Sequence, residues 1–298
     1  MKITRRDFIK ATSALGISLG MPGWALARAG LDPSSDGGAP PVIWLQGQGC
    51  SGCSVSLLNS INTMSIQDLL LNTINLEYHP TLMAAAGSQA VKAAEDRRIK
   101  GDYVLVVEGA VPTAAGGQFC HAWDGRTFMD VVKSYGKNAS HILAVGTCAS
   151  HGGIPGGKPD ATGARGVKDV LGTTATVVNI PGCPTHPDWI VGTVAHIISY
   201  NQAPALDTYG RPLLFFQNKV HARCPERSSP RARSLGEGGC LADLGCKGRE
   251  TYSDCPVRKW NSSGPNQPGV NWCVEARNPC GGCTEHDYPD GKSPFYEK

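Results

Sequence analysis

Val42-Ile43-Trp44-Leu45-Gln46 runs directly into Gly47-Gln48-Gly49-Cys50-Ser51-Gly52-Cys53, and a helix is predicted from Ser54 onward. The near-continuous apolar run reads as a strand buried on both faces, not as the alternating strand of a half-exposed sheet. Similar runs recur at residues 74–78, 103–107, 141–145 and 176–180. Helical patterns lie between them, notably at 88–100, 126–135 and 188–200. Apolar strands alternating with helices predict an α/β fold with a doubly wound parallel sheet.

Working outward, the cysteines of this half, Cys120 excepted, fall in one kind of place. Cys50 and Cys53 follow the first strand, Cys148 follows the fourth within Val145-Gly146-Thr147-Cys148, and Cys183 follows the fifth within Ile180-Pro181-Gly182-Cys183. The carboxyl ends of parallel strands share one edge, and ligands bind in the crevice there. Four thiols are therefore expected to converge, each reached through glycine, which admits a bulky inorganic group close to the backbone. Glu108, at the end of the third strand, either lines the same crevice or caps a turn. Cys120 is expected to be a free thiol.

The remainder of the chain has a different character. From His221 to Cys283 it contains His221, Cys224, Cys240, Cys246, Cys255, Cys273, Cys280 and Cys283, separated by Gly, Pro, Asn and Ser with little apolar periodicity. Seven cysteines in the last 78 residues is the density of a segment held by cross-links rather than by a core. Disulfides, zinc sites and iron-sulfur clusters all satisfy that requirement. An exported chain favours disulfides by compartment, whereas His-x-x-Cys at 221–224 and Cys-x-x-Cys at 280–283 suit metal ligation.

The 298 residues, 41% hydrophobic and 18% charged, suffice for one large domain and a smaller one. Formal net charge is +3, and Lys2, Arg5, Arg6 and Lys10 against Asp7 account for all of it. The rest is near neutral, which gives no electrostatic case for binding nucleic acid. Thr4-Arg5-Arg6-Asp7-Phe8-Ile9-Lys10, an apolar run from Ala11 to Met21 and the small-x-small site Ala25-Leu26-Ala27 resemble a twin-arginine export signal over residues 1–27. The apolar run is too short to span a bilayer. Such export serves proteins that load cofactors before crossing the membrane, which shifts weight from disulfides to clusters. Residues 28–40 form a Gly/Pro/Ser/Asp lead-in.

Several motifs in order now carry a specific resemblance. Trp44 to Cys53, Gly146-Thr147-Cys148-Ala149-Ser150-His151-Gly152-Gly153-Ile154-Pro155, Pro181-Gly182-Cys183-Pro184-Thr185-His186-Pro187-Asp188-Trp189, Leu244-Gly245-Cys246-Lys247-Gly248 and Cys280-Gly281-Gly282-Cys283 resemble the small subunit of periplasmic nickel-iron hydrogenases. Asn271-Trp272-Cys273 and the closing Asp290 to Tyr296 are most similar to the nickel-iron-selenium branch. The resemblance implies a flavodoxin-like domain over 41–210 and a loop-rich C-terminal domain over 211–298, organised by iron-sulfur clusters. It implies that Cys50, Cys53, Cys148 and Cys183 ligate a proximal 4Fe-4S cluster. Likewise, His221, Cys224, Cys240 and Cys246 would ligate a distal 4Fe-4S cluster, and Cys255, Cys280 and Cys283 the medial one. Most nickel-iron members have proline where Cys273 stands, beside a 3Fe-4S cluster; a fourth thiolate implies a medial 4Fe-4S cluster. Gly52 and Gly153 stand where one oxygen-tolerant class has extra cysteines, so an ordinary proximal cluster is expected.

The implied function is electron relay. No motif remains in this chain to hold nickel, so hydrogen oxidation is expected at a nickel-iron centre on a large-subunit partner, with an external acceptor, commonly a c-type cytochrome, taking the electrons. Arg223, Arg227, Arg231 and Arg233 against Glu226 make the region around the distal ligands basic, which suits a basic cytochrome poorly; a solvated loop facing elsewhere is the other reading. No apolar helix follows Cys283, so a periplasmic location without a membrane anchor in this chain is expected.

Overall fold

The computed structural model describes residues 39–172, 175–267 and 269–296. The export signal expected over 1–27 and nearly all of the expected lead-in lie outside the described residues. Five strands form one parallel sheet: β1 (Pro41–Gln46), β2 (Asn75–Tyr78), β3 (Val104–Glu108), β4 (His141–Val145) and β5 (Val177–Ile180). Their spatial order is 2-1-3-4-5, that of the flavodoxin-like doubly wound sheet. Each strand begins within one residue of its expected start.

Alternation along each strand builds two cores, because successive side chains point to opposite faces. Val42, Trp44, Val104, Val106, Leu143, Val145, Val178 and Ile180 face one side, where Trp189, Ile190 and Val194 of the helix Pro187–Tyr200 cover them. Ile43, Leu45, Leu105, Val107, Ile142 and Ala144 face the other side. Ala90 and Ala94 of the helix Gly87–Lys100 and Val131, Val132 and Tyr135 of the helix Phe128–Gly136 cover that face. Burying each large aliphatic side chain contributes about 1.5–3 kcal/mol, which explains why most buried positions of these strands are apolar. Phe215 and Phe216 join the first of these cores, so the apolar packing of the sheet extends past residue 210, the end expected for this domain.

The tail has a far smaller core of Val220, Ala232, Leu241, Trp272, Val274 and Cys280. Its backbone is mostly short 3-10 turns, such as Val220–Arg223, Leu241–Leu244 and Lys247–Arg249. Arg211 ties it to the sheet half. Its buried guanidinium pairs with Asp207 at 2.7 Å and with Glu285 at 3.1 Å, and donates to the Thr284 carbonyl at 3.1 Å. The rings of Tyr209, Phe216 and Tyr252 surround it within 5.7 Å. A buried charge is tolerated only when paired and hydrogen-bonded to this degree.

Candidate functional site

Gln46, Glu108, Val145 and Ile180 are successive register partners across β1, β3, β4 and β5, so they form one row at the carboxyl edge of the sheet. Cys50, Cys53, Cys148 and Cys183 all follow within seven residues of that row. Cys148 interacts electrostatically with Cys183, Cys50 and Cys53, and Cys183 with Cys50, so the four thiols share one neighbourhood.

Two glycines leave the space around these sulfurs. Gly146 has φ +92°, and a Cβ there would lie 2.6 Å from Cys53 Sγ. Gly153 has φ +52°, and a Cβ there would lie 2.7 Å from the Cys148 nitrogen and 3.0 Å from its Sγ. No L side chain enters either position without backbone movement, so a cysteine at 153 has no ready seat.

Glu108 settles its two readings at once. One carboxylate oxygen accepts from the Cys53 and Ser54 backbone N–H groups at 3.0 Å each, capping the helix Gly52–Leu58. The other accepts from Trp44 Nε1 at 2.9 Å, Gln46 Nε2 at 3.1 Å and the Ser54 hydroxyl. It therefore fixes the turn that carries Cys53. His79, to which the sequence assigned no role, continues this network. Its Nδ1 accepts from the Thr81 N–H at 3.2 Å, so Nε2 carries the proton and donates to Ser54 Oγ at 3.2 Å. A lone histidine just past a strand gave no signal of this.

In the tail, Cys224 lies electrostatically close to Cys246 and Cys240, and a Cβ at Gly248 would lie 3.5 Å from Cys246 Sγ and 3.8 Å from the His221 nitrogen. Cys255 and Cys283 both face Cys273, and Cys283 also faces Cys280. The histidines nearest the sheet-edge thiols have other partners. His186 Nε2 donates to the Lys259 carbonyl at 2.7 Å while Nδ1 caps the helix at Asp188, and His151 lies edge-on to Tyr209. Cys120 is half-buried and packs against the second core.

No disulfide joins any of the twelve cysteines. Among the described residues, no three His, Cys, Asp or Glu side chains close on a point one metal ion would occupy. Zinc gathers four donors about 2.0–2.3 Å from one centre, whereas an iron-sulfur cluster distributes its ligands over separate irons.

The donors around the sulfurs suit such clusters. Thr185 N–H points at Cys53 Sγ, Ile154 N–H at Cys148, Glu226 N–H at Cys224 and Gly282 N–H at Cys280. The Tyr288 hydroxyl donates to Cys183, Ser253 to Cys255 at 3.1 Å, and Arg231 Nη1 to Cys240 at 3.0 Å. Hydrogen bonds of this kind set the potentials of thiolate-ligated clusters. Burial pushes the Cys53 and Cys255 thiols up to about 12 and Cys148 up to about 11, and it raises Cys280 and Cys283 as well. A thiolate at these positions needs an adjacent cationic centre to offset its desolvation.

The three sets are also joined in order. The Cys183 backbone N–H is directed at Cys283 Sγ, and the neighbouring Thr147 hydroxyl bonds the Cys283 carbonyl. At the other end of the same loop, Cys280 N–H donates to Cys246 Sγ at 3.4 Å, and Lys247 N–H donates to the Cys280 carbonyl at 2.8 Å.

Comparison with known proteins places the chain in a family. Residues 50–197 match the family described as NADH ubiquinone oxidoreductase, 20 Kd subunit, and residues 216–296 match the family described as the C-terminal part of the NiFe/NiFeSe hydrogenase small subunit. The chain is 41% identical to the periplasmic [NiFeSe] hydrogenase small subunit of Desulfomicrobium baculatum, covering 99% of both chains. It is 37% identical to the hydrogenase-2 small chain of Escherichia coli K12, covering 95% of this chain and 77% of the relative. Among solved structures, the [NiFeSe] hydrogenase of Desulfovibrio vulgaris Hildenborough superposes with a TM-score of 0.80 at 45% identity, covering 88% of this chain and 99% of the other. The first family alone would leave a quinone-reducing relative open, but its match stops short of the tail. With the tail matched and the relatives similar over almost the whole length, the chain belongs to the small subunits of nickel-iron and nickel-iron-selenium hydrogenases.

Proposed function

We propose that this chain is the electron-relaying subunit of a heterodimeric hydrogenase, in which H2 yields two protons and two electrons at a nickel-iron centre on the large subunit. The proximal 4Fe-4S cluster is held by Cys50, Cys53, Cys148 and Cys183. Cys255, Cys273, Cys280 and Cys283 hold a medial 4Fe-4S cluster, and His221, Cys224, Cys240 and Cys246 hold the distal one. When bound, each cluster carries one electron at a time. The observation that carries this reading is the ordered contact between the three ligand sets through the loop from Cys280 to Cys283.

Cys50 and Cys183 are exposed, and the same side exposes Val55, Leu58 and Ile61. Beside them opens a groove of about 500 Å³, bordered by Gly52, Pro184 and Trp260. An exposed apolar face of this kind marks an interaction surface, and we assign it to the large subunit. Residues 1–27 direct export by the twin-arginine route to the periplasm, where a c-type cytochrome is the acceptor. Among the described residues no helix is long and apolar enough to cross a membrane.

Iron and acid-labile sulfide in the anaerobically purified complex, with the partner's iron subtracted, test the assignment. About 12 of each, from three four-iron clusters, with no oxidised 3Fe-4S resonance, is the expected result. About 11 irons with a strong 3Fe-4S resonance would remove Cys273 from the ligand set. Values near zero in a fully metal-loaded preparation would end the relay reading.

A further inference from the structure

The surface beside the distal ligand set is basic for a structural reason. From His221 to Glu250 the chain carries Arg223, Arg227, Arg231, Arg233, Lys247 and Arg249 against Glu226, Glu237, Asp243 and Glu250. Glu226, Glu250 and Glu237 are directed at the chain's own groups. Glu226 pairs with Arg277 at 3.3 Å, Glu250 with Lys292 at 3.0 Å, and Glu237 accepts from the Arg233 and Ser234 backbone N–H groups at 2.7 and 3.1 Å. Arg223, Arg227, Arg233 and Arg249 are exposed and form no ion pair among the described residues. Arg227, Arg231 and Arg249 all act electrostatically on the His221 ring, and Arg231 donates to Cys240 Sγ at 3.0 Å, so these three lie beside the distal ligand set. Between the arginines the chain exposes Leu235 at 53%, together with Ala222, Pro225 and Pro230. Exposed apolar side chains interspersed with exposed arginines suit a protein-docking surface.

We propose that this surface docks an electron-carrier protein whose redox centre is ringed by aspartate and glutamate. The inference rests on the relay reading and refines its acceptor: a cytochrome that serves this subunit presents an acidic face, not a lysine-rich one. Charge complementarity of this kind acts mainly on encounter rate and on rejection of wrong partners.

The test uses the complete heterodimer under hydrogen, with three acceptors: an acidic ferredoxin, a basic multihaem cytochrome c, and the small uncharged dye benzoquinone. The ferredoxin is expected to be reduced faster at low ionic strength and to slow steeply as salt is added, while benzoquinone reduction stays flat. In the Arg223→Glu/Arg227→Glu/Arg233→Glu variant the ferredoxin rate is expected to fall at least about tenfold at low salt, with the preference between the two proteins inverted and the dye rate unchanged. A basic carrier preferred by the unmodified complex, or a ferredoxin rate independent of salt, would overturn the docking site without reference to any variant. Failure of the unmodified, metal-loaded complex to reduce even benzoquinone would overturn the relay reading and the docking site with it.

Discussion

Replacing Glu108 by glutamine tests the claim that one buried carboxylate holds the proximal turn. The carboxylate is 3% exposed and accepts from five donors, two on one oxygen and three on the other. Glutamine offers one acceptor oxygen and one NH2. If the NH2 faces the helix, the Cys53 and Ser54 N–H groups both lose their acceptor. If it faces the other side, Ser54 can rotate and Gln46 can flip, but Trp44 Nε1–H points at another donor. Each orphaned buried donor costs about 1–3 kcal/mol, and the surviving bonds lose their charge-assisted part. Glu108→Gln should therefore destabilise by about 3 kcal/mol. At roughly 2–4 °C per kcal/mol for a chain of this size, the apparent midpoint should fall by roughly 6–12 °C. Anaerobic scanning calorimetry of the assembled complex at one fixed scan rate reads the shift, and iron analysis should reveal partial loss of proximal iron. Adding Trp44→Phe removes the orphaned donor in the second arrangement, so the double variant should lose about 1 kcal/mol less than the two single variants summed. A midpoint within about 2 °C of the parent, with full iron, would refute this account of the turn.

Burial lowers the His79 pKa from 6.5 to about 4, partly opposed by Glu108, so the folded chain keeps the ring neutral while the unfolded chain protonates it. Its contribution to stability is complete above 6.5 and is lost as pH falls toward 4. At pH 5 the loss is about 2 kcal/mol; it should appear as a pH-dependent gap between the parent and His79→Gln, and parallel pH curves would exclude it. Gly146→Ala places a Cβ 2.6 Å from Cys53 Sγ, so iron per chain should drop by about four while the tail keeps its own; unchanged iron would contradict the steric argument. Arg231→Met deletes a charge-assisted bond to Cys240 Sγ, so the distal centre should become harder to reduce by tens of millivolts, about 1.4 kcal/mol being 59 mV for one electron. A redox titration followed by electron paramagnetic resonance measures this, and an unmoved potential would sink the idea.

What the sequence disclosed was whatever one period or one spacing controls. Apolar strands with turn glycines located β1 through β5, because burial on both faces leaves a continuous run, and the motif order located the thiols. The roles of Glu108 and His79 were not legible, since a carboxylate at a strand end reads equally as crevice lining or as a cap until its donors are known. Nor did Phe215 and Phe216 announce that they pack under the sheet, because four residues of helix carry no usable periodicity. Hydrogen bonds to sulfur, such as Thr185 to Cys53 or Arg231 to Cys240, join residues distant in sequence or set by loop geometry, and composition carries no trace of them.

The loop from Cys280 to Cys283 meets the sheet-edge set at one end and the arginine-side set at the other. Three peptide steps extend at most about 11 Å. In the proposed relay both end cysteines bind the middle carrier, so the loop fixes the width of that carrier's seat by covalent length, whereas the gaps to the flanking sets are spanned by the N–H···S contacts at its two ends. Inserting a single residue between Gly281 and Gly282 would widen the seat and displace one of those contacts.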